Sequence, residues 1–327
     1  MAEYKGIHGG KIQNFSTNPP APITGQVWYN ETTLTLNYRA EGAGAWASGG
    51  NLNTARSNLG GAGIQTAALG FGGSPPPAPT AKDITESYNG SAWTEVADFN
   101  TARAYCAGAG TYTSAIASGG DQLSGTTESW NGTSWASITS SNNPQPSKGS
   151  AGADNENALF FGGAPSGNTK LNEHWNGSAW TELADLNSAR ANLKGAGNTY
   201  TQALAFGGQQ NPPNFSAITE SWNGTSWTEV ADLNTGRRYF SGDGTYTSAL
   251  AYGGENPSTT NIASTESYNG TCWSEVADLS TARDSSNMGG AGASNGSGLC
   301  FGGYISADSN ATEEWTSPVI TTRSVDT

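Results

Sequence analysis

Tryptophan returns through this chain at Trp46, Trp93, Trp135, Trp180, Trp227 and Trp273, at intervals of 42 to 47 residues. Glycine pairs keep the same step at Gly72-Gly73, Gly119-Gly120, Gly162-Gly163, Gly207-Gly208, Gly253-Gly254 and Gly302-Gly303. Between each pair and the next tryptophan stands another aromatic: Tyr88, Trp130, Trp175, Trp222 and Tyr268, with Trp315 after the last pair. A unit this short cannot bury an apolar face alone, so its copies must stack on one another. Short strands at this period make one four-stranded blade per repeat, which predicts an all-β fold, a six-bladed β-propeller. A propeller hosts many activities, so function must be argued from a site.

One repeat shows how the blade is read. Residues 239–245 and 247–252 are expected as two strands, with the chain turning at Gly253-Gly254, where glycine carries no Cβ penalty. Residues 264–268 and 271–276 are expected as the third and fourth strands, joined at Asn269-Gly270, a two-residue hairpin signal. The first strands read Gly60-Gly61-Ala62-Gly63, Ala107-Gly108-Ala109-Gly110 and Gly195-Ala196-Gly197. Small side chains suit strands that converge on an axis. The aromatics sit on the third and fourth strands, where blades splay and need bulk.

Six sets of first-to-third strands begin near Asn58, Tyr105, Gly149, Leu193, Tyr239 and Asn287, but only five are followed by a tryptophan strand. The last set runs into Thr316-Ser317-Pro318 instead, while Trp46 stands unused at the other end. The expectation is that Ala43 to Ala47 supplies the outer strand of the last blade. The propeller is then closed by an N-terminal outer strand, which removes a free edge. Residues 1–42 are read as an extended N-terminal arm with a short hairpin, used for attachment. Residues 43–317 are read as the propeller and residues 318–327 as a C-terminal tail.

The order of glycine pair, aromatic and tryptophan at about 45 residues resembles the kelch repeat. The resemblance covers roughly Trp46 to Trp315 and implies the propeller fold without a single activity. Asn142-Asn143-Pro144-Gln145-Pro146-Ser147-Lys148 departs from the Asn-Thr-Ala-Arg phrase seen in other repeats. Gly25-Gln26-Val27-Trp28-Tyr29-Asn30 with Leu34-Thr35-Leu36-Asn37-Tyr38-Arg39 resembles a hairpin of tailed-bacteriophage virion proteins, notably marine ones. That likeness implies location in a virion and contact with other virion proteins through the arm.

Net charge is −13 with only 14 Lys and Arg, and no basic run is present. General electrostatic binding of nucleic acid or an anionic membrane is not expected. No stretch has the apolar length of a membrane span, and the first ten residues lack a signal-peptide core. Cys106, Cys272 and Cys300 are too few and too scattered for a disulfide framework or a zinc site. With only His8 and His174, no copper or catalytic histidine set is expected, and no cofactor. Asn-Gly-Ser/Thr recurs at Asn89, Asn131, Asn176, Asn223, Asn269 and Asn295. Five of these fall on the blade hairpin, so a turn explains them better than glycosylation.

Each repeat carries a third-strand acid, Glu86, Glu128, Glu173, Glu220, Glu266 or Glu313, and a base, Arg56, Arg103, Lys148, Arg190, Arg237 or Arg283. A partly buried carboxylate needs a partner, so these are expected as structural ion pairs. The alternative is an acidic ring that binds a cation. The non-repeating residues lie in the second-to-third connections, all expected on one face with the fourth-to-first connections. Variable loops on a rigid scaffold are where recognition is built. Asp121, Gln209, Gln210, Phe215, Tyr304 and Asp308 are the candidate binding residues there. Host glycan and a second copy of the chain are the further expected partners. The function expected is that of a non-enzymatic virion structural protein. A carbohydrate-binding lectin is the alternative, and a glycan-active enzyme is a third.

Overall fold

A computed structural model describes residues 12–20, 26–41, 44–74, 80–121, 125–164, 167–211, 214–283, 288–318 and 320–325. The loop prolines Pro75, Pro76, Pro77, Pro212 and Pro213 lie outside the described residues, as does Asn287. The described residues are all-β and contain no helix. The chain divides into two compact units: Met1–Gly44 with Ser317–Thr327, and Ala45–Thr316.

The smaller unit holds one four-stranded sheet, in the order Gln13–Phe15, Val27–Asn30, Thr35–Glu41, Ile320–Ser324. Val27–Asn30 and Thr35–Glu41 are the expected hairpin. Residues 318–327, read as a tail, contribute Ile320–Ser324, which pairs antiparallel with Thr35–Glu41. Trp28 is fully buried, and its Nε1 donates to Asn18 Oδ1 at 3.1 Å.

The larger unit contains six four-stranded antiparallel sheets of the form propeller blades take. Their first strands, in order, are Gly60–Ile64, Ala107–Thr111, Gly149–Asp154, Lys194–Thr199, Ser241–Thr245 and Gly289–Ser294. Each is an edge strand of its sheet and packs against the first strand of the next. Gly289–Ser294 packs against both Ser241–Thr245 and Gly60–Ile64. All six line one cavity of about 270 Å³. Glycine is required at these approaches: a Cβ on Gly61 would lie 2.4 Å from the Gly290 carbonyl, and one on Gly108 2.6 Å from that of Gly61.

In five sheets the outer strand follows directly in the chain. In the sixth, Ala45–Ser48 takes that place, pairing antiparallel with Thr312–Thr316 in the register Trp46 to Trp315. Aromatic bulk then fills the spaces between sheets. Trp93 lies 4.7 Å from Phe301 and Trp135 lies 5.2 Å from Phe71, each from one sheet to its predecessor. The indole N–H groups follow the same direction. Trp93 donates to Thr312, Trp135 to Thr85, Trp273 to Thr219 and Trp46 to Thr265, all between 2.9 and 3.1 Å. Burying each such ring contributes about 1.5–3 kcal/mol.

The Asn-Gly turns differ from the two-residue hairpin expected. Tyr88 faces Trp93 and Tyr268 faces Trp273, which leaves four residues in each loop. Gly90 and Gly270 have positive φ, but their asparagines do not. Instead Asn89 Oδ1 accepts the N–H groups of Ser91 and Ala92, and Asn269 Oδ1 those of Thr271 and Cys272. Asparagine serves here as a side-chain acceptor that holds the loop, rather than as a left-handed residue.

Candidate functional site

The repeated acids and bases were expected to meet, and most do. Arg56 Nη2 donates to Glu86 Oε1 at 2.8 Å with both side chains fully buried. Its Nη1 donates to the carbonyls of Gly72 and Ile84 at 2.7 and 2.9 Å. The other oxygen of Glu86 accepts both the backbone and side-chain N–H of Asn53. Arg190–Glu220 and Arg237–Glu266 repeat this at 2.8 and 2.7 Å, and Arg283 donates to Glu313. Burial lowers the pKa of Arg56, Arg190 and Arg237, and the adjacent glutamate opposes that shift. The pair ties the segment before a sheet to the glycine turn and the third strand of that sheet. Arg103 is looser: Nη1 lies 3.3 Å from Glu128, and the guanidinium sits 4.2 Å over the Phe99 ring.

Lys148 does not pair with Glu173. Its ammonium donates to Ser118 Oγ, Ser141 Oγ and the Asn143 carbonyl. Glu173 instead accepts the backbone N–H groups of Asn142 and Asn143. The repeat position of the arginines belongs to Gln145, two residues before Ser147, whose φ of 59° matches Asn58, Tyr105, Asn192 and Tyr239. Lys148 stands three residues on, where other sheets carry Leu59, Cys106, Leu193, Phe240 and Met288. A second exception makes room for it. Ser118 replaces the aromatic that ends the second strand elsewhere, as Phe71, Phe161, Phe206, Tyr252 or Phe301. Burial pushes the Lys148 ammonium down to about 8.

The candidate binding residues divide into a cluster and scattered members. Gln209–Gln210 and Asn214–Phe215 form a two-stranded ribbon. Gln209 and Phe215 meet around Arg238, a residue sequence reasoning missed. Arg238 Nη1 donates to Gln209 Oε1 at 2.7 Å, and Nε donates to Glu255 Oε2 at 2.8 Å. Its guanidinium lies 4.7 Å over Phe215 and 4.8 Å over Tyr239. Asn168, from the preceding sheet's loop, donates to the Gln209 carbonyl at 2.6 Å. Loops of three consecutive sheets therefore converge here. The available signal was that Arg238 follows the repeat arginine where Ser57, Ala104 and Ala191 stand in other repeats.

Gln210 stays in the ribbon opposite Asn214. Asp121 is exposed, and its carboxylate accepts the Ala104 N–H at 3.2 Å. Tyr304 and Asp308 bridge each other in the sixth sheet's connection. Burial raises the Asp308 carboxyl above its usual range, against a hydrogen bond with Ser57. Among the described residues, no group of three or more His, Cys, Asp and Glu side chains is placed to hold a metal ion. His174 stacks on Tyr200 at 4.0 Å, its Nε2 is 3.0 Å from Asn157 Oδ1, and burial lowers its pKa. No protein-family model matches this chain, and no curated protein matches it.

Proposed function

We propose that the larger unit is a six-bladed β-propeller of the kelch type, closed by Ala45–Ser48, that serves as a non-enzymatic recognition scaffold. The observation that carries this reading is the convergence of Gln209, Phe215 and Glu255 from variable connections onto Arg238 and Tyr239 of a fourth-to-first connection. An arginine fixed by a carboxylate and an amide, flanked by two rings, offers flat apolar area beside polar groups at low ordering cost. That combination suits a glycan or a polar protein surface. The phage-like phrasing of residues 25–39 supports a place on a virion, with the N-terminal arm as the attachment to other virion proteins.

The reading is tested by glycan-array and envelope-glycan binding, comparing the wild type with a Phe215→Ala/Arg238→Ala variant. Binding should fall by about tenfold or more, the value of one charge-assisted contact, at an unchanged melting temperature. A variant that binds as well as the wild type overturns the assignment of recognition to this cluster.

A further inference from the structure

The cavity enclosed by the six first strands is about 270 Å³, the size for one small molecule. Its wall is mostly glycine and alanine, as convergence demands, and Lys194 and Asp243 break that rule. Lys194 opens its strand where the other five sheets carry Gly60, Ala107, Gly149, Ser241 and Gly289. Asp243 stands where they carry Ala62, Ala109, Ala151, Ala196 and Ala291.

Two other polar side chains of the wall are used within the protein. The Lys148 ammonium is held by Ser118, Ser141 and Asn143, and Ser150 Oγ donates to the Gly108 carbonyl at 2.7 Å. Lys194 is partly exposed in the cavity, with no hydrogen bond or ion pair to its ammonium among the described residues. Asp243 is only 7 % exposed; Oδ2 accepts the Tyr252 hydroxyl at 2.7 Å, and Oδ1 has no partner. The carboxylate lies between the fifth and sixth sheets, where a Cβ on Gly292 would come within 2.1 Å of Oδ1. An ammonium held in a narrow cavity without a counter-charge is costly.

We propose that this cavity is a binding site for a small polyhydroxylated carboxylic acid. Its carboxylate pairs with Lys194. The first strands are edge strands, so part of their backbone N–H and C=O groups lack a ladder partner. A wall that presents donors and acceptors together favours hydroxyl groups, which serve as both. This site is separate from the Arg238 cluster and does not depend on recognition there.

Calorimetric titration with sodium glucuronate, glucose, sodium acetate and inorganic phosphate tests the site. Lys194→Ala installs the residue that another repeat carries at this position, Ala107, so it should fold, which the melting temperature checks. Glucuronate should bind saturably to the wild type, and tighter than acetate, phosphate or glucose. Lys194→Ala should weaken it by about tenfold or more, one charge-assisted hydrogen bond. Phe215→Ala/Arg238→Ala should leave it unchanged. The proposal is overturned if the wild type shows no saturable binding, or if Lys194→Ala binds as tightly as the wild type. It is equally overturned if the three anions bind alike, or if only the Phe215→Ala/Arg238→Ala variant loses binding.

Discussion

Arg190 and Glu220 meet at 2.8 Å with neither side chain exposed, and every hydrogen bond around them ties one chain segment to another. Removing the acid leaves a buried guanidinium without its counter-charge. Glu220→Ala should therefore lower unfolding stability by about 3–5 kcal/mol in denaturant titrations. Glu128→Ala should cost less, because Arg103 stands farther from its acid and also rests on Phe99. Equal losses at the two sites would mean that the charge contact is not what holds these segments. Asp243 makes a pH-dependent contribution of a definite sign. Burial pushes its carboxyl up to about 7, from about 3.9 in an unfolded chain. Between those values the unfolded chain releases the proton and the folded chain keeps it. The contribution of Asp243 is thus fully present below about pH 4, falls as pH rises toward 7, and levels off above that. Asp243→Ala should flatten this part of a stability–pH curve. Parallel curves for variant and wild type would contradict the assignment.

At the scale of elements, whatever repeats was readable and whatever breaks the repeat was not. Glycine pairs, aromatic third strands and tryptophan outer strands all report the same packing six times, so period alone located them. Trp46 was traceable for the same reason: a strand with no blade of its own faced a blade with no outer strand. Lys148 was misread because its segment lacks the Asn-Thr-Ala-Arg phrase, and proximity to the missing arginine's place is not register. Ser118, in the neighbouring sheet, is the compensating change, and a pair of exceptions across an interface leaves no trace in period. The Asn-Gly turns were legible as turns, but their length depends on which residues face each other, which the dipeptide does not state. Ile320–Ser324 pairs with a strand some 280 residues away and has no repeat to announce it. Arg238 is a site residue of the same kind. Its partners come from separate loops, so only the fold brings Gln209, Phe215 and Glu255 to it.

At the scale of the larger unit, the proposed propeller requires its six sheets to form one ring whose two chain ends share a sheet. Contacts between first strands run from each sheet to the next and from the sixth back to the first. The indole N–H of Trp93 in the first sheet reaches Thr312 in the sixth, as that of Trp135 reaches Thr85. Loops on a closed ring are held at fixed spacing, which is what a recognition face needs and what an open stack of sheets would not supply. In the proposed ring, closure rests on the pairing of Ala45–Ser48 with Thr312–Thr316, in which Ala45 faces Thr316 and both are exposed. The most direct test is an Ala45→Cys/Thr316→Cys pair in a Cys272→Ser background, since Cys272 is the exposed native thiol. Directly opposed strand residues lie within disulfide reach. Under mild oxidation the account predicts a nearly complete intramolecular disulfide and a higher melting temperature than in the reduced protein. Thiols that both stay free, or that link only between molecules, would contradict it.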